Sequence, residues 1–282
     1  MRIALGTVQW GLKYGIANTK GIPGDQELKS IMTIAQENNI TLLDTAAQYG
    51  CAEERIGQIL TPDHKIITKI SSFTDENSIN DQIQNSIKNL KADNIYGCMF
   101  HTGYDLIKNK NLWGELLKYK ESGVIQKIGY SLYDPSFLVK LLEANFIPDI
   151  IQLPYSVLDR KFEPYFNLLK KNNVEIHVRS IFLQGLFFKP INRLDFKFRD
   201  LKKPLKELQN IAKKYKLSTL DLALCFALQN PLIDYVVLGV ETAKQLKEII
   251  AASKQNLSKK ILKEIKAIQP KNLTILNPVN WK

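Results

Sequence analysis

Four proton-active side chains follow one another along this chain: Asp44, Tyr49, Lys69 and His101. They are the types that carbonyl reduction requires. Hydride reaching a carbonyl carbon leaves negative charge on the oxygen, which must then receive a proton. A free phenol titrates at about 10, too high for ready exchange near neutrality. A neighbouring ammonium favours the phenolate, and a carboxylate keeps that ammonium charged and in place. Tyr49 is therefore expected to donate the proton, with Lys69 lowering its pKa and Asp44 anchoring Lys69. His101 is expected to hydrogen-bond the carbonyl oxygen, where charge develops. Singly, each has a blander role: a helix N-cap for Asp44, a turn aromatic for Tyr49, a solvated strand end for Lys69, a core histidine for His101. Their combination favours chemistry.

Such groups need elements that end at one mouth. Short apolar runs at residues 2–6, 41–44, 65–69, 95–100, 127–131, 150–153, 175–179 and 235–238 read as strands. Several are nearly continuous in apolar residues, as in a parallel sheet buried on both faces. Amphipathic stretches at 25–39, 77–90, 112–122, 135–144, 165–173, 201–215 and 242–255 alternate with them. Strand–helix–strand alternation at this spacing gives right-handed βαβ units. Eight strands predict a (β/α)8 TIM barrel in one domain over residues 1–282, with catalytic groups at the strands' C-terminal ends. Asp44, Lys69 and His101 lie at the ends of the second, third and fourth strands. Residues 188–203 are the least regular stretch and are expected to form a functional or mobile loop. A further amphipathic segment, 258–268, precedes the tail.

Composition narrows the alternatives. With 282 residues, 45% of them hydrophobic, the chain is long enough to bury one large core. The apolar runs are too short to span a bilayer, and residues 1–6 carry no signal-peptide pattern; a soluble, cytoplasmic protein with no membrane partner is expected. Cys51, Cys98 and Cys225 are widely spaced and three histidines are scattered, so no metal site is expected. The charge of +11 is spread over helical repeats such as 259–264, which argues for solvated faces and against a nucleic-acid partner.

At this point the chain resembles the aldo-keto reductase family. Asp44-Thr45-Ala46-Ala47-Gln48-Tyr49-Gly50, followed by Glu53, Ile56 and Gly57, is similar to that family's D-T-A-x-x-Y-G-x-x-E-x-x-I-G signature. Residues 5–11 resemble its opening strand and turn, 128–131 its G-x-S strand and 151–160 its sixth strand and loop. The resemblance spans essentially the whole chain, with Lys69 and His101 in the family's order. It implies a nicotinamide cofactor lying extended across the barrel mouth, and no G-x-G-x-x-G follows the first strand. By the family pattern Thr7, Val8, Asp44, Ser131 and Gln152 would line the nicotinamide end, Gln152 on its carboxamide. Ser180, Leu183, Gln184 and Gly185 would lie over the pyrophosphate, and Gly239, Thr242 and Lys244 at the adenosine end. NADP(H) is favoured over NAD(H) on the strength of Lys244, against which Glu241 stands.

One departure is Arg179, in a slot where many members place a tyrosine that stacks on nicotinamide. It reads either as an ion-paired structural residue or as a guanidinium facing the cofactor or an anionic substrate. The expected substrate is a small carbonyl compound, anionic or sugar-like, with oligomeric state open. The competing function is a non-catalytic nucleotide-binding barrel serving as a regulatory subunit; a Schiff-base lyase using Lys69 is a further alternative.

Overall fold

A computed structural model describes residues 1–71 and 76–281; residues 72–75 and Lys282, the end of the tail, lie outside the described residues. Eight parallel strands close into a barrel in chain order: β1 (Ile3–Gly6), β2 (Leu42–Asp44), β3 (Lys65–Ile70), β4 (Ile95–Phe100), β5 (Ile125–Ser131), β6 (Ile150–Pro154), β7 (Glu175–Arg179) and β8 (Tyr235–Gly239). β1 pairs with both β2 and β8, which closes the ring. All eight expected strands are present, with ends moved by two residues at most. Helices surround the ring, as the alternation requires. No helix among the described residues is long and apolar enough to cross a membrane.

Two apolar cores explain the strand sequences. Ala4, Leu42, Ile67, Met99, Ile150 and Val237 meet inside the barrel. Alternating residues such as Leu5, Leu43, Ile66, Cys98, Ile151 and Val178 pack outward under the helices. Side chains alternate with a period of two along a strand, so the residue two places beyond each inner apolar residue must emerge at the C-terminal mouth. Leu42 thereby places Asp44, Ile67 places Lys69, Met99 places His101, Ile150 places Gln152 and Val237 places Gly239. At the opposite end, Lys127, Tyr96 and His177 converge on Glu175 and close the floor. Burial there works against the Glu175 carboxylate, but hydrogen bonds from His177 and Lys127 prevail and hold its pKa at about 2.

The short helices Val8–Gly11, Ala52–Ile59 and Tyr104–Lys108 have no counterpart among the expected elements, and two further regions depart from the sequence reading. Residues 188–203 are not a structureless loop: they form short 3-10 turns at Ile191–Arg193 and Phe196–Phe198 and then enter the helix Arg199–Tyr215. The helix Thr219–Leu228 has no counterpart among the expected elements. Residues 222–227 are all buried in it, so it has no polar face to produce helical periodicity. Its one local mark is a capping box, in which Ser218 and Asp221 bond each other's backbone N–H.

Candidate active site

The mouth is built from the turn after β2. Thr45 N donates to Ile67 O and Ala47 N to Lys69 O, so the chain beyond Asp44 is pinned against β3. Tyr49 N then bonds Ala46 O, which turns the tyrosine over the mouth just before the helix Ala52–Ile59. The signature's Glu53 is buried on that helix and accepts from Thr68 Oγ1 on the outer face of β3. It fixes the helix, and through it the Tyr49 turn, to the strand that carries Lys69.

Lys69 Nζ donates to Asp44 Oδ2 at 2.7 Å and to Thr45 O at 2.9 Å. The pair is nearly sealed from solvent, with side chains 1% and 4% exposed. The other carboxylate oxygen, Oδ1, accepts from Gln152 Nε2 at 2.7 Å. Thr7 supports the arrangement from below, its N and Oγ1 both donating to Asp44 O. Lys69 Nζ lies 5.3 Å from the centroid of the Tyr49 ring. The His101 ring meets Tyr49 edge-on, with centroids 5.8 Å apart and planes at 83°. The four expected catalytic residues therefore share one site.

Electrostatics there differ from the expectation in one respect. The Tyr49 phenol is raised, not lowered. Burial is the largest cause and Asp44 the next, while the opposing cation is Arg179. Withdrawal of the phenol from water outweighs the opposing charge of the Arg179 guanidinium. A phenol held protonated is nevertheless the form a proton donor requires. Burial also lowers Lys69, against the pull of Asp44. His101 is held down at about 4, by burial first and then by the charges of Lys69 and Arg179. It is thus neutral near pH 7, and its buried Nδ1 has no hydrogen-bond partner among the described residues.

The low His101 value has a consequence for stability. Its folded pKa lies below the ordinary 6.5, so the unfolded chain binds that proton more readily. The associated stability is complete above pH 6.5 and is lost as pH falls through about 4. Across that window the melting temperature of the native protein should fall more steeply than that of His101→Gln, as read by scanning calorimetry. Parallel profiles would remove His101 from the acid response.

Arg179 stands at the same mouth. Its Nη2 donates to Ser131 Oγ and Leu132 O, both at 3.3 Å, and its Nη1 to Ser180 Oγ at 3.5 Å. Its guanidinium stacks on Tyr133, with Cζ 4.0 Å from the ring centroid. No carboxylate is among these partners, so the ion-paired reading of Arg179 finds no support among the described residues.

The remaining candidates divide along the mouth. Ser180, Leu183, Gln184 and Gly185 all have positive φ, making a tightly coiled loop after β7. A side chain at Gly185 would put its Cβ 2.5 Å from Ala17 Cβ, because the loop after β1 packs on it. Gln184 Nε2 donates to Tyr14 Oη on that same loop. Val8 begins a short helix beside β1. At Gly239 a Cβ would fall 2.3 Å from Gln9 Nε2, and Gln9 Oε1 is buried without a partner among the described residues. Thr242 caps the helix Ala243–Ala252 by accepting from Gln245 N. Lys244 points away, 86% exposed and 3.9 Å from Glu248. Gln9, Tyr14, Glu27 and Tyr133 are not singled out as site residues by the sequence: Gln9 lies within the opening motif, and Tyr14, Glu27 and Tyr133 are brought there by tertiary packing with no motif to mark them.

The eight-stranded barrel thus carries a buried lysine–carboxylate pair under a tyrosine, with a neutral histidine beside it at the mouth. The chain belongs to the aldo/keto reductase family, whose model matches residues 2–270. Members of that family act on small-molecule carbonyl compounds with nicotinamide cofactors. Solved structures agree on the fold. The holo form of aldo-keto reductase AKR11C1 from Bacillus halodurans superposes with a TM-score of 0.80 at 22% identity, over 95% of this chain and 91% of that one. The thermostable aldo-keto reductase Tm1743, in complex with the inhibitor epalrestat, gives 0.75 at 22% identity over 95% of each chain. No match was found among curated proteins.

Proposed function

We propose that this single-domain barrel is a cytoplasmic, nicotinamide-dependent reductase of aldehydes or ketones in which Tyr49 donates the proton. The observation that carries this reading is the sealed Lys69–Asp44 pair, 2.7 Å apart, beneath the Tyr49 ring. A buried ion pair is a poor source of stability, because desolvation offsets its attraction. Placed under a phenol, its ammonium end offers positive charge where a phenolate forms.

The residues at the mouth fit a dinucleotide. The loop Ser180–Gly185 is tightly coiled after the mouth end of β7, and the unpartnered Gln9 Oε1 lies over Gly239. Gln152 and Ser131 would hold the nicotinamide end, the 180–185 loop the pyrophosphate, and Gly239 and Thr242 the adenosine end. When bound, the reduced cofactor supplies the hydride. His101 orients the substrate carbonyl and donates a hydrogen bond as negative charge gathers on its oxygen. Tyr49 Oη then gives its proton to that oxygen. The resulting phenolate is held by Lys69 and Arg179 until solvent returns the proton.

Titration of cofactor fluorescence with NADH and NADPH, followed by turnover over a carbonyl panel, tests the reading. A folded protein that binds neither dinucleotide would overturn it. Arg179 bears on substrate class, because its guanidinium has no carboxylate partner among the described residues and is suited to an anion. Arg179→Met should lower kcat/KM for anionic carbonyl substrates about tenfold or more, and far less for neutral aldehydes. An equal loss for both classes would assign Arg179 to the cofactor instead.

A further inference from the structure

We infer that this protein selects NAD(H) over NADP(H), and that Glu27 is the residue that discriminates. The inference rests on the proposed reading in which the adenosine end of the cofactor lies at Gly239–Lys244.

Glu27 comes from the helix Asp25–Glu37, whose apolar face packs the carboxylate against the start of the helix Ala243–Ala252. Its Oε1 accepts from Ala243 N at 2.6 Å, although the two residues are 216 positions apart. Ala243 N is among the helix's free N-terminal donors, the groups that would otherwise meet a phosphate. Two nearby donors are also engaged. Gln245 N bonds Thr242 Oγ1 at 3.1 Å, and Glu241 N bonds Gln245 Oε1 at 2.7 Å. Two of the first amides of this helix, Ala243 N and Gln245 N, are thus already bonded to the chain's own oxygens, one of them a carboxylate.

The local charges point the same way. Glu241 precedes the helix and adds a second carboxyl. Lys20 is close enough to Glu241 to act on it. Arg55 is engaged with Asp25 and with the carbonyls of Trp10 and Pro23. Lys244, the basis for expecting NADP(H), lies along its own helix toward Glu248. A 2′-phosphate placed beside Glu27 would face like charge and find its amide already bonded. A ribose 2′-hydroxyl is a donor, and the second oxygen of Glu27 can accept from it. The same carboxylate therefore repels one cofactor and receives the other, which is how specificity arises as a difference of affinities.

The experiment is equilibrium titration of the whole protein with NADH and with NADPH, followed by fluorescence and checked by calorimetry, without substrate. The native protein should bind NADH about tenfold or more tightly than NADPH, the scale set by a like-charge contact. Glu27→Gln keeps an acceptor for Ala243 N while removing the charge. It should tighten NADPH about tenfold and weaken NADH about tenfold, because the amide nitrogen that replaces the second oxygen cannot accept from the 2′-hydroxyl. Tighter binding of NADPH by the native protein would overturn the inference and leave the proposed reductase reading standing, with no variant required. An unchanged NADPH/NADH ratio in a folded Glu27→Gln would overturn the role of Glu27. Failure to bind either dinucleotide would instead overturn the reductase reading, and this inference with it.

Discussion

Tyr49→Phe should keep its affinity for the nicotinamide cofactor and lose about 10²–10⁴-fold in carbonyl reduction, the range for removing a positioned proton donor. The substitution deletes one oxygen. The ring that meets His101 edge-on and covers Lys69 Nζ remains, so the shape of the mouth is preserved. What is lost is the proton that the substrate oxygen needs after hydride arrives. Because burial and Asp44 hold the phenol protonated, the native donor is in its active form throughout the neutral range. Steady-state kinetics with an aldehyde, alongside cofactor titration, separates the two effects. Turnover near the native rate would remove Tyr49 from the donor role.

Lys69→Met should abolish reduction and destabilise the fold together. The Asp44 carboxylate would then sit at 4% exposure with Gln152 Nε2 as its remaining side-chain donor. Removing one partner of a buried ion pair typically costs about 3–5 kcal/mol, because the other charge is left uncompensated. The double substitution Asp44→Asn with Lys69→Met should recover much of that stability without recovering activity. Urea denaturation and single-turnover kinetics on the native protein and both variants resolve the question. A Lys69→Met protein of native stability would show that the pair is not coupled as the geometry implies. Native activity would show that the charge beneath Tyr49 is dispensable.

These two residues, with Asp44 and His101, are legible in the sequence because their placement follows from local rules. Several strands are apolar runs buried on both faces, and side chains alternate along each strand with a period of two. An inner apolar residue such as Ile67 therefore dictates where Lys69 points, and a seven-residue motif carries Asp44 and Tyr49 together. The eight-strand alternation is legible for the same reason. The helix Thr219–Leu228 is not, because burial on all sides removes the polar face that periodicity detects.

Other features exist only once distant segments meet. Gln152 bonds Asp44 across 108 residues, and Glu27 reaches Ala243 across 216. No spacing rule connects such pairs; closure of the barrel and packing of its helices do. Burial is likewise a property of the folded whole. The residue types at the mouth place a cation beneath a phenol and anticipate a lowered pKa. The tertiary structure withdraws that phenol from water and adds Asp44's charge, and the shift reverses. Sequence determined which chemical groups share the mouth, because strand periodicity is local. Tertiary structure decided their protonation and the charge presented to the cofactor, because desolvation and long-range contacts depend on everything packed around them.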